Sequence, residues 1–280
     1  MFTGSRDGTT SIPRAVGPVT RGRTARVLTR RIDGDDSRRV PDYLIVEEPM
    51  SIRLDGELVA TTMRTPGDDF ELAVGFCVTE GVLADAPVRT IRYCGEGPAS
   101  EGAYNDVTVD TGGLAPPPTP RLGPASSSCG ICGTVAIHEL LDRLSPMSVE
   151  PFEVSVLTGI AGRIAGDQAL FGTTGSVHAA AAFDRSGGVV LLREDIGRHN
   201  AVDKVVGRLH LDGRLPAGDL GLWVSGRASF EMAQKAWAAG FAALVAVSGP
   251  SALAVETARA AGLQLAGFAR GSRLNLYTEG

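Results

Sequence analysis

The sequence is poor in cysteine, in aromatic residues and in long apolar runs. Four cysteines in 280 residues are too few for the disulfide framework of a small secreted protein, and no run reaches the roughly eighteen apolar residues of a membrane-spanning helix. The arginines near the N-terminus are not followed by the apolar segment of a secretory signal peptide. We therefore expect a cytoplasmic protein without membrane contact, in which cysteines remain thiols unless they perform chemistry or bind metal.

Positive charge is scarce as well. Lysine and arginine together number 27 against 32 aspartates and glutamates, which gives a net charge of −5. Because the chain as a whole lacks the excess of basic residues that is typical of nucleic-acid-binding proteins, we expect no nucleic-acid partner. Residues 1–39 are the exception, with nine arginines against four aspartates. Since residues 1–24 are polar and aperiodic, we expect a disordered basic tail over residues 1–39.

Hydrophobic residues make up 43% of the chain, enough for a core, and they follow two successive patterns. Over residues 40–111 the pattern predicts a small α+β domain, with strands that alternate around an Asp55-Gly56 turn and a helix that begins after Pro66 and ends at Thr79. The strands are predicted at Tyr43–Glu47, Met50–Leu54, Glu57–Met63, Arg89–Tyr93 and Asp106–Asp110.

Residues 112–133 separate the two patterns. Proline, serine and glycine dominate Gly112–Ser128, which predicts a flexible linker. The linker ends in a C-x-x-C motif formed by Cys129 and Cys132.

Residues 134–280 are predicted to form an α/β domain. After an amphipathic helix, short apolar strands alternate with helices, which is typical of a sheet that helices cover on both faces. We expect that sheet to be mostly parallel. Helices are predicted at Thr134–Leu144, Val156–Ile164, Arg198–Leu209, Phe230–Ala239 and Ser251–Ala261, and strands at Val177–Phe183, Val189–Arg193, Gly221–Val224, Leu244–Val247 and Gln264–Phe268.

Four interpretations compete for Cys129 and Cys132. A structural zinc site needs four ligands, usually from two such pairs, and the sequence has no second pair. A pair of buried thiols fits poorly beside Gly130, Gly133 and the serines before Cys129. A thioredoxin-like redox pair normally begins a helix in a βαβ unit. The fourth interpretation is an exposed nucleophile that carries a group.

A group carrier needs a thiolate, because only the thiolate attacks. The N-terminus of the helix predicted after Cys132 would favour a thiolate at the motif, and a second thiol could release the carried group by exchange. From these residues alone, the carrier and the redox pair remain about equally supported.

Several longer motifs resemble the formate dehydrogenase accessory sulfurtransferase family (FdhD). The resemblance runs from about residue 40 to the C-terminus, and the stretch from Arg193 to Lys204 is its most specific part. The motifs are Ser-Cys-Gly-Ile-Cys-Gly at 128–133, Gly-Ser-Val-His-Ala-Ala at 175–180, Arg-Glu-Asp-Ile-Gly-Arg-His-Asn-Ala-Val-Asp-Lys at 193–204, Ser-Gly-Arg-Ala-Ser-Phe-Glu at 225–231, and Gly-Phe-Ala-Arg-Gly-Ser-Arg-Leu-Asn-Leu-Tyr-Thr at 267–278.

This resemblance implies a sulfur carrier. Cys129 would accept sulfur from a cysteine desulfurase as a persulfide, with Cys132 assisting, and pass it to the molybdenum cofactor, bis-molybdopterin guanine dinucleotide, before the cofactor enters formate dehydrogenase. We expect a homodimer, although the sequence itself does not specify the oligomeric state. The competing functions are a non-catalytic chaperone that binds the cofactor and a dithiol redox protein.

The resemblance also implies a cytidine-deaminase-like fold for the second domain. Zinc deaminases carry H-x-E at one helix start and P-C-x-x-C at the next. The corresponding stretches here are His199-Asn-Ala201 and Arg227-Ala-Ser229. Because the acid/base glutamate and both cysteine ligands are missing, we expect neither a bound metal nor deamination.

The resemblance places the cofactor on the segment Phe268, Ala269, Arg270, Gly271, Ser272 and Arg273. The segment follows a predicted strand, and ligands of α/β sheets bind beyond the carboxyl ends of strands. Phe268 can stack on a purine, and the two arginines can pair with phosphate oxygens. Lower-ranked candidates are Asp195, Arg198, His199, His178 and Arg227, while Lys204 and Lys235 are expected on solvated helix faces.

Overall fold

The N-terminal part of the described chain is a two-stranded ribbon. In the computed structural model, which describes residues 22–93, 104–118 and 144–280, β1 (Thr24–Asp33) and β2 (Asp36–Ile45) pair antiparallel along their whole length. The disordered tail predicted for residues 1–39 is therefore wrong for residues 24–39, and residues 1–21 lie outside the described part. Gly34 provides the left-handed turn (φ 58°) that closes the ribbon.

A four-stranded sheet follows, in the order β4-β3-β6-β5. The predicted hairpin around Asp55-Gly56 is confirmed, since β3 and β4 pair antiparallel across that turn. One helix, α1, packs its apolar side against the sheet, and Met50, Ile52, Leu72 and Val107 are fully buried between them. The elements are β3 (Glu48–Leu54), β4 (Glu57–Arg64), α1 (Asp69–Thr79), β5 (Thr90–Tyr93) and β6 (Asp106–Asp110).

A six-stranded sheet forms the rest of the described chain, in the order β12-β11-β10-β9-β7-β8. Its strands are β7 (His178–Phe183), β8 (Val189–Asp195), β9 (Gly221–Val224), β10 (Ala243–Ala246), β11 (Gln264–Arg270) and β12 (Arg273–Thr278). Its helices are α2 (Val154–Ile164), α3 (Ala169–Thr174), α4 (Arg198–Leu211), α5 (Phe230–Ala238) and α6 (Ala252–Ala261).

The prediction of a mostly parallel sheet is wrong. Only β9, β10 and β11 run parallel, whereas the pairs β7–β8, β7–β9 and β11–β12 are antiparallel. The short connections explain the difference, because a tight turn at Gly187 or Gly271 can join only antiparallel neighbours. The α/β class itself is confirmed, and apolar residues of α4, α5 and α6 pack on one face of the sheet while α2 covers the other.

Helices α1 and α4 cross with their backbones in contact. A Cβ atom added to Gly75 would lie 1.7 Å from the carbonyl oxygen of Asp203, and one added to Gly207 would lie 1.8 Å from that of Glu71. Only glycine permits this approach, which joins the four-stranded sheet to the six-stranded one. The domain boundaries at 40–111 and 134–280 remain a prediction. No helix in the described ranges is long and apolar enough to cross a membrane.

Candidate functional site

The two cysteines of the C-x-x-C motif, Cys129 and Cys132, lie outside the described residues, as does Cys94. Cys77 lies within the described ranges, in α1, and is fully buried. Burial, helped by the charges of Asp203 and Glu80, raises the pKa of the Cys77 thiol to about 12. Cys77 therefore has neither the access nor the ionisation that a nucleophile needs.

The segment 268–273 forms the tip of the hairpin between β11 and β12. Arg270 and Arg273 are paired across the hairpin, and both are exposed. Gly271 makes the turn with a left-handed φ of 55°. Ala269 is only 1% exposed and belongs to the apolar core, so it can offer a ligand only its backbone. The structure thus places the two arginines side by side, as phosphate binding would require.

Phe268 is held in an unusual backbone conformation with a φ of 54°. Phe268 is 49% exposed, and its ring atom Cζ lies 2.7 Å from the position of a Cβ added to Gly249. Its backbone N–H donates to the carbonyl of Ser248 at 3.2 Å. One side of the ring therefore rests on the loop after β10, while the ring keeps exposed area for a planar ligand.

The carboxyl end of β9 and the start of β7 meet at the same edge of the sheet. The hydroxyl of Ser225 accepts a hydrogen bond from the backbone N–H of Ala179 at 3.0 Å and lies 3.3 Å from Nδ1 of His178. Burial lowers the pKa of His178, and the charges of Arg198 and His199 lower it further. His178 is therefore a neutral, half-buried side chain at this edge rather than a member of the apolar core.

His199 and Glu231 join the starts of α4 and α5. Nε2 of His199 is hydrogen-bonded to Oε2 of Glu231. This hydrogen bond is the main reason why the pKa of Glu231 lies below its usual range, with smaller contributions from the charges of Lys235 and Arg198. The side chain of His199 is therefore engaged by a carboxylate of the same chain.

The first residues of the motif 193–204 hold neighbouring elements together. Arg193 forms a two-pronged ion pair with Glu71 of α1, with N–O distances of 2.6 and 2.9 Å. The Glu194 carboxylate accepts the backbone N–H groups of Leu170 and Phe171 at the start of α3. Because these contacts occupy the side chains of Arg193 and Glu194, neither side chain is available to bind a ligand.

Asp195 and Lys204 form a fully buried ion pair, with a distance of 2.8 Å between Nζ and Oδ2. Asp195 also accepts the backbone N–H groups of Thr65 and Gly197, and Lys204 donates to the carbonyl of Thr65. Because Thr65 directly follows β4, its contacts with Asp195 and Lys204 connect the four-stranded sheet to the six-stranded sheet. The predicted solvated position of Lys204 is wrong.

Lys235 is also buried, contrary to prediction. Its ammonium group contacts both carboxylate oxygens of Asp203 and the hydroxyl of Thr79. Burial alone would lower the pKa of Lys235, but the charges of Asp203 and Glu80 outweigh burial and raise it. Lys204 and Lys235 therefore belong to the scaffold that supports the sheet edge.

The sequence did not single out Ser225, Gly226 or Glu231 as site residues. The sequence did contain a signal for them, because all three residues fall in the motif 225–231, which carried part of the family resemblance. Only the fold shows that this stretch lies beside His178 and Arg198. Within the described ranges, no group of three or more His, Cys, Asp or Glu side chains is placed to hold a metal ion.

The chain is similar to one protein family and to several known proteins. The model of the FdhD/NarQ family matches residues 45–280. The chain is 47% identical to "Sulfur carrier protein FdhD" of Streptomyces avermitilis over 90% of its own length and 92% of that protein, and 43% identical to the protein of that name in Mycobacterium tuberculosis over 91% and 96%. A solved structure from Desulfotalea psychrophila, described as a formate dehydrogenase accessory protein, superposes with a TM-score of 0.72 at 22% identity, covering 92% of this chain and 97% of that one.

Proposed function

The chain belongs to the FdhD/NarQ family, and on that premise we propose that it is a sulfur carrier. It accepts sulfur from a cysteine desulfurase as a persulfide on Cys129. It then passes this sulfur to bis-molybdopterin guanine dinucleotide, its substrate, before that cofactor is inserted into formate dehydrogenase. The observation that carries the proposal is the 47% identity, over nearly the whole chain, to a protein named as a sulfur carrier.

The choice of thiol follows from the chemistry of the cysteines. Cys77 is excluded because it is buried and its thiol has a pKa of about 12, whereas sulfur transfer needs an accessible thiolate. Cys129 and Cys132 are each followed by a glycine, Gly130 and Gly133, and a residue without a side chain beside the thiol would leave a bulky donor room to approach. We assign the persulfide to Cys129, the first cysteine of the pair.

Release of the sulfur requires two electrons, which Cys132 can supply together with Cys129. When the Cys132 thiolate attacks the inner sulfur of the Cys129 persulfide, an S–S bond forms between the two cysteines. The outer sulfur leaves with the bonding electron pair and a proton as hydrosulfide. The sulfane sulfur is thereby reduced to sulfide, and the two thiols are oxidised to a disulfide that an external dithiol must reduce before the next cycle.

The cofactor would bind at the carboxyl edge of β9, β10 and β11. Phe268 offers an exposed ring for guanine, and the paired, exposed Arg270 and Arg273 offer their guanidinium groups to phosphate oxygens. We propose a cytidine-deaminase-like arrangement for this part of the chain, without the deaminase zinc site, because position 201 is alanine and position 229 is serine.

The decisive experiment is intact-protein mass spectrometry after incubation with a cysteine desulfurase and cysteine. We expect a gain of one sulfur that a reductant removes, that is absent from Cys129→Ala, and that is retained in a Cys94→Ala control. Loss of formate dehydrogenase maturation in Cys129→Ala should accompany it.

A cofactor-binding chaperone is the second candidate, favoured by the exposed Phe268 ring beside two arginines. It would need the 268–273 segment but not the thiols. Full formate dehydrogenase maturation in Cys129→Ala would contradict the carrier and support the chaperone. A reversible disulfide with no requirement for a desulfurase would instead support the dithiol redox protein.

A further inference from the structure

The ribbon formed by β1 and β2 points half of its backbone groups outward. Its turn at Gly34 has two residues, so the flanking pair of Asp33 and Asp36 is hydrogen-bonded. The other end of the ribbon has the same phase, since the N–H of Val46 donates to the carbonyl of Arg23 at 2.9 Å. Because hydrogen-bonded and non-hydrogen-bonded pairs alternate, the odd-numbered residues of β1 point their N–H and C=O groups at β2, and the even-numbered residues point theirs away from it.

The outer edge of β1 is therefore a row of unpaired backbone groups, formed by Arg26, Leu28, Arg30 and Ile32. No described strand pairs with this edge, because the sheet that contains β1 consists of β1 and β2. The opposite edge of the ribbon, on β2, is interrupted by Pro41, which has no N–H to donate. Since β1 contains neither a proline nor a bulge, its edge can pair with another strand along its length.

The side chains of the same four residues form one face of β1, along which basic and apolar residues alternate. Leu28 is 66% exposed and Ile32 is 69% exposed, more than any other large apolar residue of the described chain. Arg26 and Arg30 are exposed as well. The Nε of Arg30 donates to the hydroxyl of Ser37, and neither arginine pairs with a carboxylate of the described chain. Apolar side chains exposed in this way between uncompensated charges are typical of a surface that binds another chain.

The outer half of the ribbon has no tertiary packing to support it. Every residue from Arg30 to Arg39 is exposed, whereas Val27 and Thr29, nearer the base, are half-buried. A two-stranded hairpin without such packing is only marginally stable in water, and a further strand with an apolar face stabilises it. A strand added to β1 would therefore stabilise the ribbon as well as gain backbone hydrogen bonds.

The charge of this edge selects an acidic occupant. A strand that pairs antiparallel with β1, the more stable orientation per residue, places each side chain directly opposite one of β1. Carboxylates opposite Arg26 and Arg30, with β-branched apolar residues opposite Leu28 and Ile32, would complement the whole face. A second copy of this chain, paired through the same edge, would instead bring a second set of arginines to the seam, and like charges across paired strands are destabilising.

We propose that the outer edge of β1 binds an extended acidic segment of a partner protein by strand addition. On the face that it shares with Arg26 and Leu28, the segment alternates β-branched apolar residues with acidic ones. Its backbone pairs with the outward N–H and C=O groups of β1. This inference goes beyond the proposed function and depends neither on the thiols nor on the cofactor.

Synthetic peptides test the pairing on the full chain, by fluorescence anisotropy of the labelled peptide. The probe carries valine and glutamate in turn at every second position, with threonine between them. It should bind about tenfold more tightly than the same peptide with lysine in place of glutamate, and its affinity should fall as the salt concentration rises. Methylation of the backbone nitrogens of valine and glutamate, which face β1 in the antiparallel pair, should abolish binding, whereas methylation of the threonine nitrogens should not.

Variants of β1 separate backbone pairing from charge and from folding. Leu28→Pro removes an outward N–H but no hydrogen bond of the ribbon, so it should abolish binding, whereas Leu28→Ala keeps that N–H and should retain binding. Arg30→Gln should weaken binding by about threefold to fivefold, the value of one cross-strand charge pair. Arg31→Gln is its matched control, because Arg31 is equally exposed but lies on the other face of β1, and binding should stay close to that of the wild type. The circular dichroism spectrum should be unchanged in all four variants.

Amide hydrogen exchange followed by NMR reads the pairing residue by residue. In the free protein, the outward N–H groups of Arg26, Leu28 and Arg30 should exchange faster than those of Val27 and Thr29, which β2 already pairs. The peptide should slow exchange at the outward set and leave the inward set as it was.

Two results would overturn the inference. If the wild-type protein does not bind the peptide, or if Leu28→Pro still binds it, the arginines serve only to keep other strands away from the edge. If instead Leu28→Pro turns a dimer into a monomer in sedimentation experiments while no peptide binds, the edge belongs to a second copy of the chain.

Discussion

Replacing Gly75 by alanine should destabilise the protein by forcing α1 and α4 apart. The new Cβ would lie 1.7 Å from the carbonyl oxygen of Asp203 and 2.8 Å from the backbone nitrogen of Gly207. Ordinary contacts are about 3.5 Å or longer, so the helices must separate locally by about 2 Å. Overpacking of this kind costs about 1–3 kcal/mol, occasionally more.

The displacement would also strain contacts that depend on the crossing. Thr79 of α1 donates a hydrogen bond to Asp203 of α4 at 2.8 Å, and Glu71 of α1 pairs with Arg193. Because these contacts are half or fully buried, we expect the free energy of unfolding to fall by about 3 kcal/mol, the upper end of the range for overpacking.

Urea unfolding followed by circular dichroism measures the change, provided that the slopes of wild type and variant agree. Gly162→Ala is the matched control, since Gly162 lies in α2, is exposed and has nothing within 4 Å of its added Cβ. The control should raise the free energy of unfolding by about 0.5–1 kcal/mol, because alanine is the better helix former. A Gly75→Ala variant as stable as wild type would refute the account of the crossing.

The other predictions concern buried charge, titration and thiol reactivity. Lys204→Met should lower the free energy of unfolding by about 3–5 kcal/mol, because it leaves the buried carboxylate of Asp195 without its positively charged partner. A loss below 1 kcal/mol in urea unfolding would contradict this. The unfolded chain protonates His178 near its ordinary pKa of 6.5, but the folded chain does so only at lower pH. Stability therefore falls as the pH drops below 6.5, and His178→Gln should make the fall between pH 7 and pH 5 shallower, with the remaining contribution of His210 unchanged. Cys77 should resist iodoacetamide at pH 8 in the folded protein and react fully in urea, which peptide mapping by mass spectrometry would show; rapid labelling of the folded protein would be inconsistent with its burial.

Sequence patterns predicted one hairpin and most helices well because periodicity and turn residues agree there. The hairpin at Asp55-Gly56 and the helices α2, α4, α5 and α6 were predicted to within three residues at each end. Three elements were missed: the long strand β1, which falls in the predicted disordered tail, and the short elements α3 and β12. The six residues of α3 bury no side chain. Of β12, only Arg273 was interpreted, as the last residue of the ligand-binding segment 268–273, although exposed and half-buried residues alternate over the first four positions of the strand.

The candidate site was predictable only in part. Motif resemblance pointed to the segment 268–273, but whether His178 and Ser225 lie close together depends on the direction of β7. In a parallel sheet, His178 at the start of β7 would lie at the opposite edge from Ser225 at the end of β9. Because β7 runs antiparallel to β9, the two residues meet. The burial of Lys204 and Lys235 could not be predicted from sequence patterns either, because their partners Thr65 and Thr79 lie more than 130 residues away in the chain.

The glycine contact between α1 and α4 also fixes an order of events during synthesis. From Thr79, the last residue of α1, to Leu211, the last of α4, the ribosome must add 132 residues, which takes roughly 7 to 26 s at 5–20 residues per second. Throughout that interval the nascent α1 has no partner for the face around Gly75, and Thr65 and Thr79 lack the lysines that later bind them. The N-terminal sheet therefore leaves the ribosome with an uncovered helix, and it reaches its native environment only after α4 and α5 have been made.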